Sequence, residues 1–229
     1  MEEPKIVVLI PTLNEEQAIG KVIDEIFNMI PGCEIIVIDS YSTDKTVQIA
    51  HEKRARVIYA PKGGKGLAMR WNLSDILLLY HNSYFTMIDG DFTYPAKHII
   101  EIKKELDNGA DVVIGYRYKK EKKSMSLVNK FGNRCLSLIA SLLYGIQVKD
   151  ICSGMWGFKC NALTQIHHRL DSDGFTFEAE LFINVVRRKM VLKQIPIGYR
   201  ARVKDSKAKL TVLDGFRIGW FLIKKRVVR

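Results

Sequence analysis

Tyr84-Phe-Thr-Met-Ile-Asp-Gly-Asp91 is an apolar run that ends in two carboxylates separated by a glycine. A strand running into such a pair aims both acids at the mouth of a sheet. Their oxygens can hold one hard divalent cation, Mg²⁺ or Mn²⁺, with room left for substrate phosphates. The competing reading is a plain strand-ending turn, because Asp and Gly are common there. What the rest of the chain places beside Asp89, Gly90 and Asp91 decides between them.

Outward from this stretch the same strand–helix unit recurs. Residues 5–10 (Lys-Ile-Val-Val-Leu-Ile) are a continuous apolar run that stops at Pro11, as a buried parallel strand does. The spacing of Ala18, Ile19, Val22, Ile23 and Ile26 predicts a helix over about 15–29. Residues 34–38 read as a second strand ending at Asp39. A helix is predicted over about 44–53, behind Ser42, Thr43 and Asp44 as cap candidates. A third strand at 56–59, a Gly/Lys loop at 61–66 and a helix to about Tyr80 follow. Then come the strand at 84–88, a helix over about 97–108 and a fifth strand at 111–115. Strict β–α alternation predicts an α/β fold, a mostly parallel sheet with helices on both faces.

In such sheets ligands bind at the carboxyl ends of the strands. The five loops there (11–15, 39–42, 62–66, 89–91 and 115–117) all carry polar or charged groups suited to a phosphorylated ligand. That convergence favours the metal reading of Asp89 and Asp91. Lys62-Gly-Gly-Lys-Gly66 is not a P-loop, because Leu67 follows where Lys-Ser/Thr is required, and no G-x-G-x-x-G follows the first strand. It reads as a loop whose backbone N–H groups and Lys65 face a ribose or a phosphate.

The chain has 229 residues, 47% of them hydrophobic, enough for one globular domain with a full core. Cys33, Cys135, Cys152 and Cys160 form no C-x-x-C pair and no zinc spacing, so they read as reduced thiols of a cytosolic protein. Met1-Glu-Glu-Pro-Lys5 does not read as a signal peptide, and no run of about 18 apolar residues predicts a transmembrane helix. The net charge of +11 is concentrated: residues 187–229 hold 14 Lys/Arg against Asp205 and Asp214. Such a tail predicts an anionic partner, nucleic acid or a membrane surface, unless it is simply a solvated face.

After Arg117 the alternation stops, and a loop follows with Lys119, Lys120, Lys122 and Lys123. Two amphipathic segments are predicted, at about 126–146 and 210–229. Leu127, Phe131, Cys135, Leu138 and Leu142 line one side of the first, and Lys130, Asn133, Arg134, Ser137 and Ser141 the other. Leu213, Phe216, Trp220, Ile223 and Val227 share a face of the second, beside Lys224, Lys225, Arg226 and Arg229. Apolar stripes of this kind usually face a core. Trp and Phe among clustered basic residues also suit a membrane interface.

The motifs taken in order resemble a family. Pro11-Thr-Leu-Asn-Glu15, Asp39-Ser-Tyr-Ser-Thr-Asp-Lys-Thr46, Gly64-Lys-Gly66, Asp89-Gly-Asp91, Gly115-Tyr-Arg117 and Cys152-Ser-Gly-Met-Trp-Gly-Phe158 succeed one another. Further on stand Gly174-Phe-Thr-Phe-Glu-Ala-Glu-Leu181, Ile195-Pro-Ile197, and Arg202 with Ser206-Lys207. The chain resembles family-2 inverting glycosyltransferases of the GT-A fold, and within them the dolichol-phosphate (polyprenyl-phosphate) sugar synthases. The resemblance covers about residues 5–210. It implies Pro11, Leu13 and Glu15 at the nucleotide, with Gly90 and Lys65, and Asp39 at the base. It implies Asp89 and Asp91 as the metal-binding D-x-D, and Glu178 and Glu180 near the sugar. Thr93 stands where the family often has a third metal ligand, and Ser40 where it often has a second Asp.

A lipid monophosphate acceptor has a second pKa of about 6 by analogy with phosphoamino acids, so it needs cations to place it rather than a base. Arg117, Arg134, Arg202 and Lys207 suit that task. Were the acceptor a sugar hydroxyl, Asp150 or Glu178 would be the base. The expectation is a peripheral enzyme at the cytoplasmic face of an anionic membrane, with a UDP-sugar (glucose or N-acetylglucosamine) ahead of GDP-mannose as donor. The alternative of another class is a nucleic-acid-binding module using the basic tail. It is disfavoured because Leu, Phe, Trp and Ile interleave that tail at helical spacing.

Overall fold

The computed structural model describes residues 4–121, 124–203 and 211–228. Strands β1 (Lys5–Thr12), β2 (Glu34–Asp39), β3 (Arg56–Tyr59) and β4 (Ser83–Met87) stand where the sequence puts them. β5 (Val112–Lys120) runs further than expected, and β6 (Trp156–Lys159) and β7 (Leu192–Tyr199) complete a sheet of order β3-β2-β1-β4-β6-β5-β7. All neighbours pair in parallel except β6, which runs antiparallel to both β4 and β5. The fold is therefore the expected mostly parallel one, with one reversed strand that the alternation did not foretell.

Both faces are covered, which is why β1 is apolar throughout rather than alternating. Ile6, Val8 and Ile10 pack with α1 (Ile19–Met29) and α5 (His98–Asp107). Val7 and Leu9 pack on the other side with α3 (Lys65–Trp71), α4 (Leu73–Leu79), α7 (Cys160–Ile166) and α8 (Phe177–Arg187). The helix expected to start at Glu15 starts at Ile19. Residues 14–16 are instead tied to the loop before α2 (Thr46–Glu52), the Glu15 N–H donating to Thr46 Oγ1 at 2.7 Å. The four cysteines are free, and burial pushes the Cys33 thiol up to about 11 and the Cys152 thiol up to about 12.

The amphipathic segments form α6 (Leu127–Tyr144) and α9 (Val212–Val227), which pack against each other. The Tyr144 hydroxyl donates to the Leu222 carbonyl at 2.9 Å. Their apolar stripes do not face the core. Phe131, Leu142, Phe216 and Trp220 are 71%, 75%, 74% and 68% exposed. The inward face of α6 combines apolar Leu136 and Ala140 with Ser137 and Ser141 of the side read as polar. Ser137 Oγ accepts the Ile151 N–H at 3.1 Å, and Ser141 Oγ accepts the Val148 N–H at 2.9 Å. Those hydroxyls satisfy the backbone of a loop that cannot pair in the sheet, so Ser137 and Ser141 are required inside. No helix among the described residues is long and apolar enough to cross a membrane.

Candidate active site

The carboxyl ends of β1 and β2 are zipped into one wall. The Asn14 N–H donates to Ser42 Oγ, and the Thr43 N–H to Asn14 Oδ1, both at 2.8 Å. Asp39 is fully buried, and its carboxylate accepts from Thr12 Oγ1 (3.2 Å), the Ser42 N–H (2.8 Å) and Ser42 Oγ (2.5 Å). The residue expected at the base thus shapes the turn around it. Leu13 follows β1 and is exposed, Glu15 is buried, and Pro11 is the second-last residue of β1.

The Asp89–Asp91 turn follows β4, held against β1. A Cβ on Gly90 would lie 2.9 Å from Thr12 Cγ2, so only glycine lets the turn lie this close. Lys65 Nζ donates to Asp89 Oδ1 and to Glu178 Oε1, each at 2.6 Å. Burial alone would lower the Lys65 pKa, but the two carboxylates outweigh it and hold the ammonium charged. Asp91 Oδ2 accepts from Arg202 Nε at 2.8 Å. Asp91 Oδ1 accepts from the Thr93 N–H (3.1 Å) and Thr93 Oγ1 (2.6 Å). Thr93, at the position where the family often has a third ligand, is fully buried and holds Asp91 in place through these bonds.

Among the described residues no group of three His, Cys, Asp or Glu side chains is placed to hold a metal. The donors at the turn are two carboxylates, oxygen alone, which suits Mg²⁺ or Mn²⁺ with the remaining positions left to substrate oxygens. Gly154 lets the Asp89 carboxylate lie where it does, since a Cβ there would sit 2.1 Å from Asp89 Oδ2. The Gly154 N–H donates to the Tyr94 hydroxyl at 2.7 Å, which fixes it in place.

Arg117 is no free phosphate hook. Its Nε donates to Asp150 Oδ2 at 2.6 Å, and its Nη2 to Asp150 Oδ1 at 2.7 Å and to the Cys152 carbonyl at 3.1 Å. These bonds use Nε and Nη2, and the guanidinium lies 5.1 Å from the centre of the Tyr199 ring. Asn133 of α6 adds a bond to Asp150 Oδ1 at 2.9 Å. Burial would raise the Asp150 pKa, but the Arg117 charge and the bonds it accepts hold the carboxyl below its ordinary value. Asp150 is therefore poorly suited to be a base. Arg134 is exposed on α6, Arg202 is on Asp91, and Lys207 lies outside the described residues.

The two acids of α8 part company. Glu178 faces the site through Lys65. Glu180 turns away, 1% exposed, and accepts the N–H groups of Asp171 (3.0 Å) and Ser172 (2.9 Å). Burial and the Asp171 carboxylate push its pKa up. The 171–173 strap it holds presses on the glycine loop, the Leu67 N–H donating to the Asp173 carbonyl at 3.0 Å. A Cβ on Gly66 would lie 2.2 Å from the Ser172 carbonyl oxygen. Lys225, one of the basic cluster at the end of the tail, reaches this strap: its Nζ lies 3.0 Å from Asp171 Oδ2 and 3.3 Å from Glu180 Oε1. Sequence reasoning also missed Gly154, although it stands inside a quoted motif, and Asn133 as the partner of Asp150.

Comparison with known proteins bears on this arrangement. A dolichyl-phosphate hexose transferase of Haloferax volcanii is 32% identical over 223 residues, 97% of this chain and 92% of that one. A UDP-N-acetylglucosamine–dolichyl-phosphate N-acetylglucosaminyltransferase of Methanococcus voltae is 27% identical over 244 residues, 97% and 96% of the two chains. Among solved structures, glucosyl-3-phosphoglycerate synthase from Mycobacterium tuberculosis, crystallised with Mn²⁺, UDP-glucose and phosphoglyceric acid, superposes with a TM-score of 0.73. It is 23% identical and covers 99% of this chain and 81% of its own, so the two share the GT-A fold. The profile described as Glycosyl transferase family 2 matches residues 7–166, from β1 through the Asp89–Asp91 turn to the end of α7. The chain belongs to glycosyl transferase family 2.

Proposed function

We propose that this glycosyltransferase moves a single hexose from a nucleoside-diphosphate sugar to dolichyl or another polyprenyl phosphate, with inversion, at the cytoplasmic face of a membrane. The whole chain acts as one catalytic domain. The observation that carries the reading is the engagement of the site's carboxylates. Asp150 is locked on Arg117 and Glu178 on Lys65, while Asp39 is spent on its own turn. A sugar hydroxyl would need one of them as general base. A lipid monophosphate, already ionised near neutral pH, needs only to be held in line.

Mg²⁺ or Mn²⁺ on Asp89 and Asp91 would neutralise the charge that develops on the departing diphosphate. Lys65, Arg202 and the Nη1 edge of Arg117 supply fixed positive charge around the same oxygens. Arg134 and Lys207 complete the acceptor side. The acceptor oxygen attacks the anomeric carbon from the face opposite the leaving group, which inverts that centre. Glu178, fixed by Lys65, is placed to accept hydrogen bonds from sugar hydroxyls. The donor reading places UDP-glucose or UDP-N-acetylglucosamine ahead of GDP-mannose. Transfer from each of the three donors to dolichyl phosphate in vesicles, beside a soluble glycan acceptor, tests the reading. Label should move to the lipid from a UDP-sugar only. Transfer to the glycan alone would sink the lipid acceptor.

The membrane reading rests on the outward stripes of α6 and α9 and on the basic tail. Each Lys/Arg near an anionic leaflet contributes about 1 kcal/mol, and an inserted Phe or Trp about as much or more. The protein should co-sediment with anionic vesicles. The double variant Phe216→Ser/Trp220→Ser should lose about tenfold or more in vesicle affinity at unchanged thermal stability. Equal binding by both proteins would show that α9 does not touch the lipid.

A further inference from the structure

Tyr41, in the turn after β2, has a φ of +59°. Glycine takes that conformation freely, but a bulky side chain is strained in it. The strain is imposed by a fixed frame. The Ser40 N–H donates to the Thr12 carbonyl at 3.0 Å, and the Ser42 N–H to Asp39 Oδ2 at 2.8 Å. Burial does not compensate, because Tyr41 is 55% exposed. Its ring stacks on Tyr59 at the end of β3, centroids 5.4 Å apart and planes 25° apart, and Tyr59 is itself 49% exposed. A strained and exposed aromatic pair serves neither core nor turn, and strain of this kind gathers where ligands bind.

Its place on the sheet gives it a use. The order β3-β2-β1-β4 sets the Tyr41 turn two strands from Asp89, roughly 10 Å at about 4.8 Å per strand. A nucleoside diphosphate whose phosphates lay at Asp89 and Asp91 would span that distance if its ribose and base ran along the same edge of the sheet. Other aromatic residues on these loops are taken. The Phe92 ring lies under Arg200, 4.6 Å from its guanidinium, and Tyr94 is buried against Tyr199. Leu13, on the β1 loop, has no π face.

We propose that the Tyr41–Tyr59 stack is the platform on which the donor's base lies, Tyr41 offering its outer face. The inference rests on the nucleotide-sugar reading of the site. Stacking of this kind adds affinity for the nucleoside without choosing among bases, so the platform separates nucleotides from free pyrophosphate. The test uses the full chain with Mn²⁺. Binding of UDP, GDP and pyrophosphate is measured by calorimetry for wild type, Tyr41→Gly and Tyr41→Phe, with thermal unfolding of each protein alone.

Tyr41→Gly should unfold at the same or a higher temperature, because its backbone strain is relieved. It should bind the preferred nucleotide about tenfold or more weakly, and pyrophosphate as well as wild type does. Tyr41→Phe, which keeps the ring, should restore nucleotide binding to within about twofold. Undiminished nucleotide binding by Tyr41→Gly would overturn the platform. So would an equal loss for pyrophosphate, which would mean that the whole loop had shifted. A wild type that binds pyrophosphate and neither nucleotide would remove the donor-site reading and the platform with it.

Discussion

Asp91→Ala should fold and transfer no measurable sugar. Asp91 is held on one side by Thr93 and on the other by Arg202, so its carboxylate is positioned before any ligand arrives. Removing it takes away half of the D-x-D and leaves the Arg202 guanidinium without its partner. Metal stabilisation of a leaving diphosphate contributes several kcal/mol, so the expected loss is about a thousandfold or more in kcat. Asp91→Asn, which preserves shape and can still bond Thr93, should lose nearly as much and keep the melting temperature of wild type. Both should lose metal-dependent nucleotide binding. EDTA should do to wild type what the substitution does, and activity retained in excess EDTA would refute the metal role.

Arg117→Met should be the most destabilising single change at the site. Asp150 is 2% exposed, and Arg117 is its counter-charge. Removing one partner of a buried ion pair costs about 3–5 kcal/mol, a fall in melting temperature of about 6–20 °C for a chain of this size. Acid should narrow that gap. In wild type the folded Asp150 pKa lies below its unfolded value, so the pair's stability is present above the unfolded value and is lost as pH falls through the folded one. In the variant, burial acts alone and raises the folded pKa. Its penalty is then largest near neutral pH and shrinks as the carboxyl protonates. Urea unfolding of both proteins at about pH 7.5 and about pH 5 reads this out. A gap that stayed constant or widened in acid would contradict the role given to the pair.

Local signals carried β1 to β5 and the position of the candidate site. Each of β1 to β5 announces itself by an apolar run that stops at a polar loop, and those loops fall at one edge because these five strands run the same way; β7, also parallel, has no such run and was not read as a strand. The Asp89–Asp91 turn was legible for that reason. What eluded the sequence depends on distant partners. β6 has four residues, one of them Gly157, and becomes a strand by pairing with β4 and β5. Gly157 is needed because a Cβ there would strike Ile102 of α5 at 2.1 Å. Lys65 finds Glu178 across 113 residues, and Arg117 finds Asp150 across 33. Neither pairing leaves a spacing to read. Periodicity found the stripes of α6 and α9 but could not say which side turns inward. On α6 that was decided by backbone groups at 148 and 151 in search of hydroxyl partners.

The division of labour on α6 opens a practical route. Its inner face grips the Asp150 loop, while Leu127, Leu138 and Leu142 on the outer face are mostly exposed. Rewriting those three positions with glutamine or glutamate would yield a detergent-free form with the interior chemistry left as it is. Such a form would allow turnover on short-chain, water-soluble acceptors to be followed without a bilayer in the cuvette.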